Sequence, residues 1–217
     1  MARAITQERL LLTAERLFAQ EGIDAVSMRR IAQVAEQRNI SALQYHFGGR
    51  DQLIDALLTL RLSVINERRE ALLAALEARG EATELHGLLA ALVRPLADEL
   101  TEPESHFIGF LQQLYSVRRG DNIYGHLPSE LTSGLSRVSA GIAACLTHLP
   151  LTVRQQRLRL MAAQLVHSMA DWYYQRERGT EVTPLALMSA DLIDFLAGGL
   201  MAPVSAAVSS LLEPPRQ

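Results

Sequence analysis

From Asp51 to Arg79 the chain contains neither proline nor glycine, and Leu53, Leu57, Leu60, Val64 or Ile65, Leu72 and Leu76 hold an apolar stripe at helical spacing. This predicts one helix of roughly 43 Å at ~1.5 Å per residue, ended by Gly80. So long a rod outreaches any bundle that the fifty preceding residues can build. It must carry the chain from one domain into the next, which predicts a boundary near residue 50, with the first domain (1–50) continuing into this helix to about residue 60 and a second domain over 51–217.

The other apolar residues also recur at three- and four-residue intervals, and alternating β-branched runs bounded by hairpin dipeptides are missing, so the fold class is all-α. Thr6 is placed to N-cap a helix from Gln7 to Glu21 that turns Leu10, Ala14, Leu17 and Phe18 inward and stops at Gly22. Ser27 caps a short helix from Met28 to about Ala35, with Ile31, Ala32 and Ala35 on one face, and the polar-leaning run Glu36 to Ile40 breaks it. Ser41 caps a very short helix, Ala42 to Phe47, stopped by Gly48 and Gly49. Beyond the long helix, breakers divide the chain into segments at Glu84 to Leu100, Pro103 to Val117, Pro128 to Leu149, Thr152 to Arg178 and Pro184 to Met201, and the tail after Ala202 is expected to fray.

Several function classes are excluded early. No apolar run approaches the ~18 residues of a membrane helix, and the N-terminus lacks a signal-peptide core, so a cytoplasmic protein without a membrane partner is expected. The single cysteine, Cys145, permits no internal disulfide and reads as an inert core residue. There is no nucleophile elbow, phosphate-cradling glycine loop or zinc-protease pattern, and the six histidines are scattered singly. No catalytic residue, metal site or cofactor is therefore expected, and the chain is not read as an enzyme.

Charge is distributed unevenly. The net charge is -3, yet residues 1–50 hold seven arginines against four glutamates and one aspartate, an excess of two positive charges in the first quarter. There the three helices, with the second and third short and joined by a turn, have the order of a helix-turn-helix, whose last helix enters the DNA major groove. Its N-terminal end would offer Ser41, Ala42, Gln44 and Tyr45 to base edges, Gln being suited to bidentate pairing with adenine. Ser27, Arg29, Arg38, Asn39, His46 and Arg50 surround it as phosphate-contacting types.

The run Ser27-Met28-Arg29-Arg30-Ile31-Ala32, followed by Ser41-Ala42-Leu43-Gln44-Tyr45-His46-Phe47-Gly48-Gly49-Arg50-Asp51-Gln52-Leu53, resembles the N-terminal signature of TetR/AcrR-type transcriptional regulators. The resemblance covers residues 6 to about 60. It implies that Ser27 and His46 contact the DNA backbone, that Arg50 replaces the usual phosphate-gripping lysine, and that Phe47, Ile31, Ala32 and Leu53 are core. Two departures stand out: the turn Glu36 to Ile40 is one residue longer than the family's Ala-Gly-Val-Ser form and lacks its glycine, which puts Asn39 forward for a left-handed conformation, and the family's tyrosine falls on Gln44. The resemblance further implies a homodimer on a palindromic double-stranded DNA operator, most often as a repressor, released when a small-molecule effector moves the foot of the long helix.

In the second half, Leu158, Met161 and Leu165 on one helix and Leu185, Met188, Leu192, Phe195 and Gly199 on the next suit a four-helix dimer seam, with an intramolecular core as the alternative. Phe107, Phe110, Gln113 and Leu114, with His167, Met169, Trp172 and Tyr173, mix apolar surface with hydrogen-bonding tips and suit either a small-molecule pocket or packed core. No basic patch accompanies them, which favours an apolar or aromatic effector. The rival reading is a helical protein-protein adaptor without sequence-specific DNA binding, which would lack the salt dependence of phosphate contacts.

Overall fold

The computed structural model describes residues 2–36, 47–118 and 123–212, with side chains from Gln7 onward, and among them every regular element is a helix. The elements are α1 (Ala2–Glu21), α2 (Met28–Val34), α3 (Arg50–Ala78), α4 (Leu85–Glu99), α5 (Phe107–Val117), α6 (Ser129–Cys145), α7 (Leu151–Glu177), α8 (Leu185–Met201) and α9 (Ala206–Leu212). The uninterrupted rod is α3, 29 residues long. Helix α1 begins at Ala2, so Thr6 lies inside it and is not its cap. The expected fraying tail instead forms α9, opened by Ser205, whose carbonyl and hydroxyl accept from the Ser209 and Val208 amides.

The inward stripe of α3 differs from the expected one. Leu62, Ile65, Asn66, Arg69, Leu73 and Leu76 are buried, whereas Val64 is exposed and Leu60 and Leu72 only half-covered. Two polar residues thus stand in an otherwise apolar row. Asn66 is satisfied by α6: its amide donates to the Glu130 carbonyl and Ser133 hydroxyl, and its oxygen accepts from the Gly134 amide at 2.9 Å. Such an approach requires glycine, because a Cβ at residue 134 would lie 2.8 Å from Asn66 Oδ1.

The second feature that fixes the body is a buried ion cluster. Glu15 of α1, 1% exposed, accepts two hydrogen bonds from Arg61 of α3 at 2.7 and 2.8 Å and a third from the His106 amide at 2.7 Å. Arg61 Nη1 also stands 3.3 Å from Glu99, which accepts from Ser105. Burial pushes the Glu99 carboxyl above its ordinary range against the charge of Arg61. This arrangement delays α5 to Phe107, four residues after the expected Pro103, because the chain preceding it is turned to bring Ser105 and the His106 amide onto the two carboxylates.

One continuous apolar core runs through the N-terminal helices and the body. Phe18 of α1 stacks on Phe110 of α5 at 5.9 Å, and Tyr174 of α7 donates to the Ala19 carbonyl. Cys145 sits half-buried at the end of α6, not in the core, and its thiol donates to the Thr83 carbonyl at 3.3 Å. Breaking a buried pair strands a charge, at a cost of about 3 kcal/mol or more. Glu15→Gln and Arg61→Met are each expected to lower unfolding free energy by about that amount in urea titrations, with the double variant losing clearly less than the sum of the two.

Candidate functional site

Ser27 is held for the role of a helix N-terminus. It takes extended backbone angles, φ -90° and ψ 155°, and its hydroxyl accepts from the Arg30 amide at 3.1 Å, with Arg29 exposed in the same turn. Arg30 faces back to Glu21, 3.1 Å away. Ile31 and Ala32 are fully buried, and Arg9 of α1 donates to the Ala35 carbonyl at the other end of α2. The short helix is thereby clamped at both ends.

Arg50 opens α3 and reaches back to this unit. Its Nη2 donates to the Val26 carbonyl at 2.9 Å and its Nη1 lies 3.8 Å from Asp24, so the side chain that was expected to grip phosphate also braces the loop leading into Ser27. Phe47 and Leu53 are core, as expected. Arg38, Asn39, Ser41, Ala42, Gln44, Tyr45 and His46 lie outside the described residues. Glu36, described just before them, adopts φ 56°, directly after the α2 C-cap residue Ala35. It occupies the left-handed position where glycine costs least, and its place after Ala35, where the compared pattern has glycine, was the readable signal.

Residues 10–57 match the family model for bacterial regulatory proteins, tetR family. The chain carries a TetR-family helix-turn-helix domain. The matched stretch spans most of α1, all of α2 and the first turns of α3. No curated protein matches the sequence. A solved structure from Streptomyces coelicolor A3(2), of a protein proposed to be a transcriptional regulator, is similar over 91% of this chain and 99% of that one, at 24% identity and a TM-score of 0.47. No single helix among the described residues is long and apolar enough to cross a membrane, and none of their His, Cys, Asp and Glu side chains form a metal-binding group of three.

In the body, the residues expected to line a pocket mostly fill the core. Phe107, Phe110, Leu114, Met169 and Tyr173 are all nearly solvent-free. Tyr173 meets His106 Nδ1 at 2.6 Å, and desolvation holds the His106 ring below its ordinary pKa. Trp172 donates to the Thr183 carbonyl, Gln113 donates to the Tyr174 hydroxyl, and His167 is exposed with its ring edge on Tyr115. The guanidinium of Arg176 lies over the Trp172 and Tyr173 rings and donates to the Leu100 carbonyl, so this aromatic cluster closes the end of α4.

A cavity of about 360 Å³ opens elsewhere, among α3, α4, α5, α6 and α7. Leu62, Leu96, Leu111, Ile123 and Val166 line it, together with Leu158, Met161 and Leu165 of the expected seam and a basic residue, Arg69. Of the remaining seam residues, Leu192 is buried within the single chain, Leu185 and Met188 are half-buried, and Phe195 and Gly199 face out. Relieving the left-handed strain of a non-glycine residue is worth about 1 kcal/mol. Glu36→Gly is accordingly expected to raise the thermal midpoint by a few degrees.

Proposed function

We propose that this protein is a ligand-responsive repressor that binds a palindromic operator as a homodimer and leaves it when a small, largely apolar molecule occupies the body. The observation that carries the reading is the continuity between the two regions. Helix α3 begins with Arg50 braced on the loop before Ser27, and Leu62 and Arg69 of the same helix line the cavity. About 28 Å of helix separates Arg50 from Arg69 at ~1.5 Å per residue. A ligand that favours one packing of α3 against α4 and α6 therefore acts on the orientation of the DNA-reading unit, provided it binds the DNA-incompetent state more tightly. In this reading Ser27, Arg29, Arg38, Asn39, His46 and Arg50 contact phosphate, and Ser41, Ala42, Gln44 and Tyr45 read bases.

The second copy is assigned to the outer face of α7 and α8. Leu160, Leu187 and Phe195 are 58%, 59% and 63% exposed, an unusual density of large apolar side chains on two adjacent helices. A Cβ added at Gly198 or Gly199 would meet nothing within 4 Å, so that surface allows close helix approach. Two such faces make a self-complementary four-helix seam under two-fold symmetry.

Selection of random DNA duplexes on the purified protein at two salt concentrations is expected to enrich a palindrome with half-sites about one helical turn apart, bound with a steep inverse salt dependence. Failure to enrich any sequence would instead favour the adaptor reading. Phe195→Asp and Leu187→Asp are expected to give folded monomers by sedimentation and to lose operator binding. An aspartate at Leu192, only 6% exposed, would damage the fold of the chain itself and is the wrong probe of the seam.

A further inference from the structure

Arg69 is the most anomalous side chain in the body. It is 3% exposed on the inward row of α3, yet among the described residues no carboxylate lies within ion-pair distance of it. Its one hydrogen bond runs from Nε to the Ala91 carbonyl at 3.1 Å. That acceptor exists because Pro95 occupies α4: proline has no amide hydrogen, so the carbonyl four residues earlier loses its intrahelical donor. Arg69 Nε supplies the missing donor and fixes the guanidinium beside the cavity.

Its remaining four N–H groups make no hydrogen bond among the described residues, and the cavity that Arg69 borders is lined mainly by apolar side chains, Leu62, Leu92, Leu96 and Leu111 among them. The carboxylate whose charge reaches Arg69 is Glu70, and it is occupied by the Ser133 hydroxyl at 2.8 Å and by Arg137. Burial lowers the Arg69 pKa to about 10 and raises that of the Tyr124 hydroxyl, also on the cavity wall, to about 12. At neutral pH the guanidinium therefore stays charged and the phenol stays a neutral donor. Exposed Arg159 also borders the cavity, and it too has no ion pair among the described residues. A buried cation facing an apolar cavity with unused donors is costly unless an anion completes it.

We propose that this cavity binds a small organic carboxylate, one anionic head group on an apolar body, with the Arg69 guanidinium as its counter-ion. The assignment rests on the reading above that a small molecule occupies the body, and it adds the charge of that molecule. The carboxylate accepts from the terminal nitrogens of Arg69 and from the Tyr124 hydroxyl, and the apolar body lies against Leu96, Leu111, Met161 and Leu165. A neutral molecule of the same shape would leave the guanidinium unmet.

The test is calorimetric titration of the full chain at about pH 7.5 with matched probes, decanoate against decanamide and 2-naphthoate against 2-naphthamide. Each acid is expected to bind at least about ten-fold more tightly than its amide, the discrimination a charge-assisted pair supplies. Arg69→Met removes the cation, and Arg69→Gln removes it while keeping a donor for Ala91. Both variants are expected to lose that preference while binding the amides within about two-fold of the parent. Equal binding of acid and amide by the parent chain, or an unchanged preference in the folded variants, would overturn the proposal. Amides bound more tightly than acids, with binding abolished by the cavity-filling Ala162→Phe, would overturn the anion alone and leave the small-molecule reading standing. No binding of any of the four probes would overturn both.

Discussion

The buried pairing of Glu15 with Arg61 ties the N-terminal helix α1 to the long helix α3 in the interior of this protein. A carboxylate and a guanidinium removed from water are tolerable only when nearly all their hydrogen-bonding capacity is met, and here α1, α3, the end of α4 and the turn before α5 must all be in place to meet it. The pair is therefore an orientation device more than a source of stability. It braces α1 against the rod, and α1 in turn carries the short helix α2 through the Arg9 contact to Ala35.

The same logic, left incomplete, marks the cavity. Asn66 and Arg69 are both polar residues on the inward row of α3, one turn apart. Asn66 is satisfied by backbone and side-chain partners on α6, reached because Gly134 leaves room. Arg69 finds one partner, a carbonyl released by Pro95, and otherwise faces open space. A closed polar network fixes packing, whereas an open one leaves buried donors unmet.

Much of the architecture was legible along the chain. The helix-only pattern, the length of α3, the Ser27 cap and the glycine stops at Gly22 and Gly80 depend on local chemistry, and the structure has them where they were expected. The start of α5 was misplaced because it answers to Glu15, ninety-one residues away in sequence. The choice between pocket and packed core for the aromatic residues was open for a related reason. Phe107, Phe110, Trp172 and Tyr173 have the texture of a binding site, but texture does not distinguish a wall from a filling. Arg69 carried a readable signal, since it falls in register with Leu62, Ile65, Leu73 and Leu76. That signal gains meaning only once the row is known to face inward.

The sequence by itself determined the fold class, the order of the helices and the presence of a TetR-type DNA-binding domain, because capping, glycine termination and 3.6-residue periodicity act between near neighbours in the chain. Tertiary structure alone decided which face of α3 is buried, which aromatics fill the core and where the cavity lies. Those outcomes depend on how helices distant in sequence share one interior, and a cavity is defined by atoms that several helices fail to bring together.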